Sequence, residues 1–224
     1  MPLSRMPGRC AGPFVLVGLA LFAARASAVP PTAVAPPPRA PRVAKASDEP
    51  QKAMAGFALP AGFTAELFAS EPQVANPVAF SIDEQGRAFV AEVFRARKGV
   101  SDNRQHDDAW LDADLASRTV ADRLAYHRRF LGDRADDWTA ESDRVRELVD
   151  ADGDGRADRA TVFATGFNGL VQGLGAGVLA RHGDVYYTCI PDLWRLRDTN
   201  GDGEADERTS LVHGFGVRPS CSTW

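Results

Sequence analysis

The 224 residues carry a net charge of −4, with 44% apolar and 25% charged side chains, the balance of a water-soluble globular chain. No Lys/Arg run forms a patch, so nucleic acid is excluded as an expected partner. The length suffices for one ordinary domain or for part of a larger one.

In chain order, Arg5 and Arg9 precede the apolar run AGPFVLVGLALFAA, and Ala26-Ser27-Ala28 supplies small residues where a leader would be cleaved. This is the three-part layout of a secretory signal peptide over residues 1–28. The run is short for a membrane span, which needs about 20 residues. Export to the periplasm or cell surface is therefore expected, with no stable membrane span after cleavage. Residues 29–56 begin VPPTAVAPPPRAPRVAKAS, a Pro/Ala-rich composition that reads as an extended linker. Cys189 and Cys221 remain in the mature chain, and an oxidising compartment would permit a disulfide between them. No C-x-x-C-H motif occurs, so no haem is expected on this chain.

From residue 57 the pattern is β. NPVAFSID, the turn EQG and RAFVAEVF predict two strands; SDRVRELVD and RATVFATGF predict two more. GAGVLAR, VYYTCI, DLWRLRD and RTSLVHGF repeat that order. The stretch LVDADGDGRADRATVFATGF returns 48 residues later as LRDTNGDGEADERTSLVHGF. Four antiparallel strands per repeat of this length are the content of one propeller blade. GFTAELFAS (62–70) is expected to be a lone strand that closes the ring, removing free sheet edges. The fold expected is thus all-β: an incomplete, six-bladed β-propeller of about two blades plus a closing strand over residues 57–217. Residues 218–224 have no strand pattern and read as an aberrant or truncated tail.

Each repeat contains an acidic loop between its third and fourth strands. In the first, Asp150, Asp152, Asp154 and Asp158 fall at positions 1, 3, 5 and 9, with the Arg156 carbonyl at position 7. In the second, Asp198, Asn200, Asp202, the Glu204 carbonyl and Asp206 repeat the spacing. Calcium takes six to eight oxygens at about 2.3–2.6 Å, and such a loop delivers them from one short stretch. The competing reading is a hairpin turn that uses Asn, Asp and Gly for positive φ and holds no metal. Either way the loops belong to the outer rim of a blade, as fasteners and not as catalytic acids.

An insertion at 95–142 separates the second and third strands and is expected to be helical, covering the mouth of the channel. Thr119 and Asp122 form a capping box, and Val120, Leu124, His127 and Leu131 share a helical face. His127 reads as a helix-surface histidine. Asp107, Asp108, Asp112 and Asp114 read as a solvated acidic face. His213 and Arg218 stand where a strand end could present them to a cofactor, although the repeat places Thr165 opposite His213.

LPAGFTAELFASEPQVANPVAFSIDEQGRAFVAE, SDRVRELVDADGDGRAD and IPDLWRLRDTNGDGEADERTSLVHGFG resemble the N-terminal part of a bacterial family. It is known from planctomycetes and their relatives as the membrane-bound dehydrogenase, haem-binding-domain type. The resemblance implies a propeller similar to the six-bladed glucose/sorbosone quinoproteins, with pyrroloquinoline quinone (PQQ), a sugar or alcohol substrate and a cytochrome electron acceptor. It also implies that the catalytic histidine segment would follow HGFG, where VRPSCSTW stands instead. No catalytic residue is therefore expected in this chain, and PQQ is expected only in a full-length parent. The rival expectation is a non-enzymatic cell-surface propeller that binds carbohydrate or protein.

Overall fold

The computed structural model describes residues 37–100 and 105–216. The leader, Arg218, Cys221 and the tail at 218–224 lie outside the described residues. Eight strands make two four-stranded antiparallel sheets, each in sequential order. The first contains β1 (Pro77–Ile82), β2 (Ala88–Glu92), β3 (Asp143–Val149) and β4 (Arg159–Phe167). The second contains β5 (Gly175–Arg181), β6 (Asp184–Cys189), β7 (Asp192–Arg197) and β8 (Glu207–His213).

The 48-residue repeat extends to the irregularities of the backbone. The β3–β4 ladder slips between Val145↔Ala164 and Arg146↔Val162. The β7–β8 ladder slips between Leu193↔Val212 and Trp194↔Ser210, at the equivalent residues. A bulge bends its strand and sharpens the twist, so a bulge kept at the same register gives the two sheets the same curvature.

The sheets pack face to face through β1, β2 and β5. Phe89, Ala91, Val145, Phe163 and Phe167 of the first sheet meet Val185, Tyr187, Cys189 and Leu196 of the second in one buried cluster. The other face of the first sheet carries Ala88, Val90, Leu148 and Ala157, covered by Phe68, Ala69 and Val74. These arrangements make the chain mostly β, built from two repeated sheets.

Residues 62–70 form no strand. The Ala157 amide donates to the Phe68 carbonyl at 2.8 Å, but among the described residues no strand lies alongside to complete a ladder. The last residues of the linker, beyond the Pro/Ala-rich stretch, are helical. Glu49–Ala55 form helix α1, with Pro50 in its first turn and a Lys52–Asp48 pair at 3.0 Å, although the helix buries no residue. Pro fits the first helical turn because the amide it lacks would have no partner there.

The insertion is helical as expected: α2 (Asp108–Ala116), α3 (Val120–Leu131), a 3₁₀ turn at Gly132–Arg134 and α4 (Ala135–Trp138). The Thr119–Asp122 capping box is present. The buried face of α3, however, is Arg123, Tyr126, His127 and Leu131. His127 is therefore an interior residue, 2% exposed, and packs against Trp110, Tyr126 and Trp138. Asp114 is buried as well and accepts from the Tyr126 hydroxyl at 2.8 Å. Among the described residues no helix is long and apolar enough to cross a membrane.

Candidate metal site

Each acidic loop joins the last two strands of its sheet, β3 to β4 and β7 to β8. Gly153 and Gly155 adopt φ of 80° and 86°, and Gly201 and Gly203 adopt 82° and 87°. These are left-handed conformations that glycine reaches without a Cβ clash. They turn the loop amides inward. In the first loop Gly153 N–H donates to Asp150 Oδ1 at 2.7 Å and Gly155 N–H to Oδ2 at 2.9 Å. The Gly155 amide leads the backbone donors that hold the Asp150 carboxyl below its usual range.

Asp150, Asp152 and Asp158 each bring a carboxylate oxygen within 4.8 Å of the others. Asp154 stands outside this trio and accepts from the Arg156 amide at 2.9 Å. Asp158 takes only one loop donor, the Ala151 amide at 2.7 Å. Three carboxylates that close repel one another unless a cation or donors intervene.

The second loop has the same backbone and different satisfaction. Asp198 accepts from Gly201 and Gly203 at 2.6 and 2.8 Å. Thr199 replaces Ala151, and its hydroxyl donates to Asp206 Oδ1 at 2.7 Å while its amide donates to Oδ2 at 2.9 Å. That hydroxyl is the first cause of the lowered Asp206 carboxyl. Asn200 replaces Asp152, and its amide group donates to Asp202 Oδ2 at 3.1 Å. Glu204 N–H also donates to Asp202, at 2.8 Å. Both loops thus give their acids backbone donors, the Asp154 amide reaching Asp152 at 3.1 Å in the first, but only the second adds side-chain donors, from Thr199 and Asn200.

A buried acid sits against the second loop. Glu147 is 1% exposed, and Arg87 Nη1 reaches its Oε1 at 3.0 Å. Burial pushes its carboxyl up. Its Oε2 has no hydrogen-bond partner and would lie 2.9 Å from a Cβ built on Gly203. The first loop borders a cavity of about 660 Å³ lined by Gln51, Met54, Glu66, Leu67, Asp154 and Arg156.

His213 ends β8, the outermost strand of the second sheet. Its Nδ1 lies 2.8 Å from Asp192 Oδ1, which also accepts from the Ser210 hydroxyl at 2.6 Å. A carboxylate oxygen accepts, so Nδ1 is the donor of this bond. His213 does not line the cavity beside the first loop.

Three residues that the spacing did not single out hold the sheets and the insertion together. Asp143 accepts from the Phe94 and Arg95 amides at 2.7 and 3.0 Å and from Gly175 at 2.9 Å, tying the exit of β2 to the entry of β5. Arg95, fully buried, donates to the carbonyls of Gly99, Trp138, Gly169, Gln172 and Gly173. Arg123 donates to the Val171 carbonyl at 2.7 Å and to Gly216 at 3.2 Å. Cys189 is a free, buried thiol, pushed up by burial.

Fold and loop together define a protein of two repeated four-stranded sheets, the first of which carries a metal-sized acidic cluster in its β3–β4 hairpin. The chain belongs to the family described as a domain of unknown function, DUF7133, whose model matches residues 49–220. No curated protein and no solved structure matches the chain.

Proposed function

We propose that this chain forms calcium-stapled blades of an exported β-propeller, and that its parent protein is a PQQ-dependent dehydrogenase of sugars or alcohols that passes electrons to a cytochrome. The observation that carries the calcium reading is the approach of Asp150, Asp152 and Asp158 within 4.8 Å. A hard divalent cation is the species that such an oxygen set holds. Calcium binds the first loop tightly and the second weakly, because the second has one carboxylate fewer and Thr199 occupies Asp206. Position supports a fastener: each loop clamps the last two strands of its sheet.

The dehydrogenase reading rests on the sequence resemblance and the repeated sheets. The described residues do not fit a quinone site. Arg95 and Arg123 are committed to backbone carbonyls, and His213 is held by Asp192 on an outermost strand. No step is therefore assigned to PQQ or to a base here. The second reading, a cell-surface propeller that binds carbohydrate or protein, is favoured by that same lack of fit. Dye reduction with sugars and alcohols, after PQQ loading of the full-length gene product, separates the two. Substrate-dependent reduction supports the dehydrogenase, and its absence with every substrate supports the binding protein.

A further inference from the structure

The second acidic loop rests on the first sheet. A Cβ built on Gly203 would lie 2.9 Å from Glu147 Oε2 and 3.4 Å from the Thr161 side chain, both of the first sheet. The Ala205 amide, two residues on, donates to Phe163 O at 2.7 Å. Gly203 and Ala205 each stand between positions that supply the loop's oxygens. Gly155 of the first loop meets a carboxylate in the same way, that of Glu66, but Glu66 is exposed whereas Glu147 is buried.

Glu147 is short of counter-charge. One guanidinium, that of Arg87, serves both Glu147 Oε1 at 3.0 Å and Asp83 Oδ2 at 2.7 Å. Glu147 Oε2 accepts no hydrogen bond, and the Arg159 guanidinium stands 3.9 Å from it. A buried carboxylate so placed costs free energy that an approaching positive charge offsets. Asp198, the first acid of the second loop, is close enough to raise the Glu147 carboxyl further, after burial. Arg87 and Asp198 also line one cavity of about 70 Å³ between the sheets, together with Asp83, Phe163 and Asp184.

We propose that calcium in the second loop clamps the two sheets together, with Glu147 as the buried negative charge that the first sheet supplies to it. The proposal rests on the calcium reading of that loop and extends it: the ion fastens sheet to sheet as well as β7 to β8. Glu147 is a positioning residue and not a ligand. Its charge acts across Gly203, where water screens little, and adds to those of Asp198, Asp202 and Asp206. Negative charge around a calcium loop raises its affinity. The same attraction draws the loop onto the first sheet. Occupancy therefore tightens the bonds between the sheets, from the Ala205 amide to Phe163 O and from the Ala180 amide to Ser81 Oγ. By linkage, inter-sheet order and calcium affinity reinforce each other.

Calorimetric calcium titration of the metal-stripped full chain and of Glu147→Gln tests it, alongside amide hydrogen exchange of the unaltered chain with and without calcium. Glutamine keeps the size of the side chain and an acceptor for Arg87. The variant is expected to weaken the second, weaker site several-fold and to leave the tight first site unchanged. In the unaltered chain, filling the second site is expected to slow exchange of the Ala180 and Ala205 amides several-fold. A second site that Glu147→Gln leaves unmoved would overturn the clamp while the calcium reading stands. Calcium that protects the loop amides and leaves Ala180 unchanged would do the same. No calcium bound by the unaltered chain would overturn both.

Discussion

The Thr199 hydroxyl donates to Asp206 Oδ1 across 2.7 Å, whereas Ala151, its counterpart in the first loop, has no hydroxyl to give Asp158. One Ala-for-Thr difference separates a loop whose ninth-position acid accepts on both oxygens from one whose acid accepts on one. Thr199→Ala is expected to raise the calcium affinity of the second loop several-fold, since the Asp206 oxygen no longer has to give up the Thr199 hydroxyl to meet the ion. Calorimetric titration of the variant checks this; unchanged affinity contradicts the competition.

Gly203 and Gly201 separate two costs. Both need positive φ, 87° and 82°, so alanine at either strains the backbone by roughly 1 kcal/mol. A Cβ at Gly201 meets open space, whereas at Gly203 it meets the buried Glu147 carboxylate at 2.9 Å. Gly203→Ala is expected to lose at least about 1 kcal/mol more than Gly201→Ala, as overpacking does. Urea denaturation of the pair decides it, and equal losses would mean that Glu147 moves aside freely.

His127 predicts acid lability. Burial first, then the Arg123 charge, pushes its pKa down to about 3 from 6.5, against the opposing bond to the Arg123 carbonyl. The folded state holds the neutral ring, so this stability is complete above the unfolded pKa. It is lost as pH falls from about 6.5 towards 3, at about 1.4 kcal/mol per pH unit. His127→Phe should flatten that part of the stability–pH curve, measured by denaturant unfolding. A curve identical to that of the unaltered protein would rule His127 out as the cause.

Arg95 anchors the insertion to the loop before β5. Arg95→Met takes a donor from five carbonyls; Gly169 keeps the Gln172 amide and Gly173 the Cys189 thiol, and each buried carbonyl left unpaired costs about 1–3 kcal/mol where water cannot reach it. Hydrogen exchange is expected to accelerate first in residues 168–174 and α3. Uniform acceleration would show that Arg95 supports the whole core.

Much of this was legible in residue order. The acidic loops and their 48-residue spacing placed β3, β4, β7 and β8, because alternation and Gly-rich turns are local signals. The capping box was equally local. His127 and Asp114 escaped, since helical periodicity identifies faces and cannot say that Trp110 and Trp138 will close over one of them. Arg95 and Arg123 escaped for a related reason: a buried arginine is tolerated only where distant carbonyls converge, and all of these but that of Gly99 come from residues more than 40 positions away. At 62–70 the composition reads as strand, yet strand geometry needs a neighbour to bond, and among the described residues none lies alongside. The difference between the two loops was visible as Ala151 against Thr199 and Asp152 against Asn200. Its consequence emerged only once the hydroxyl was seen on Asp206.

The most direct test is a calorimetric calcium titration of the metal-stripped chain and of Asp152→Ala. One tight site that Asp152→Ala abolishes, followed by a weaker one that it leaves, is the predicted result. Bound at 100 times its dissociation constant, calcium in the first site should add about 2.7 kcal/mol of stability. No binding, or a tight site that survives Asp152→Ala, would contradict the account.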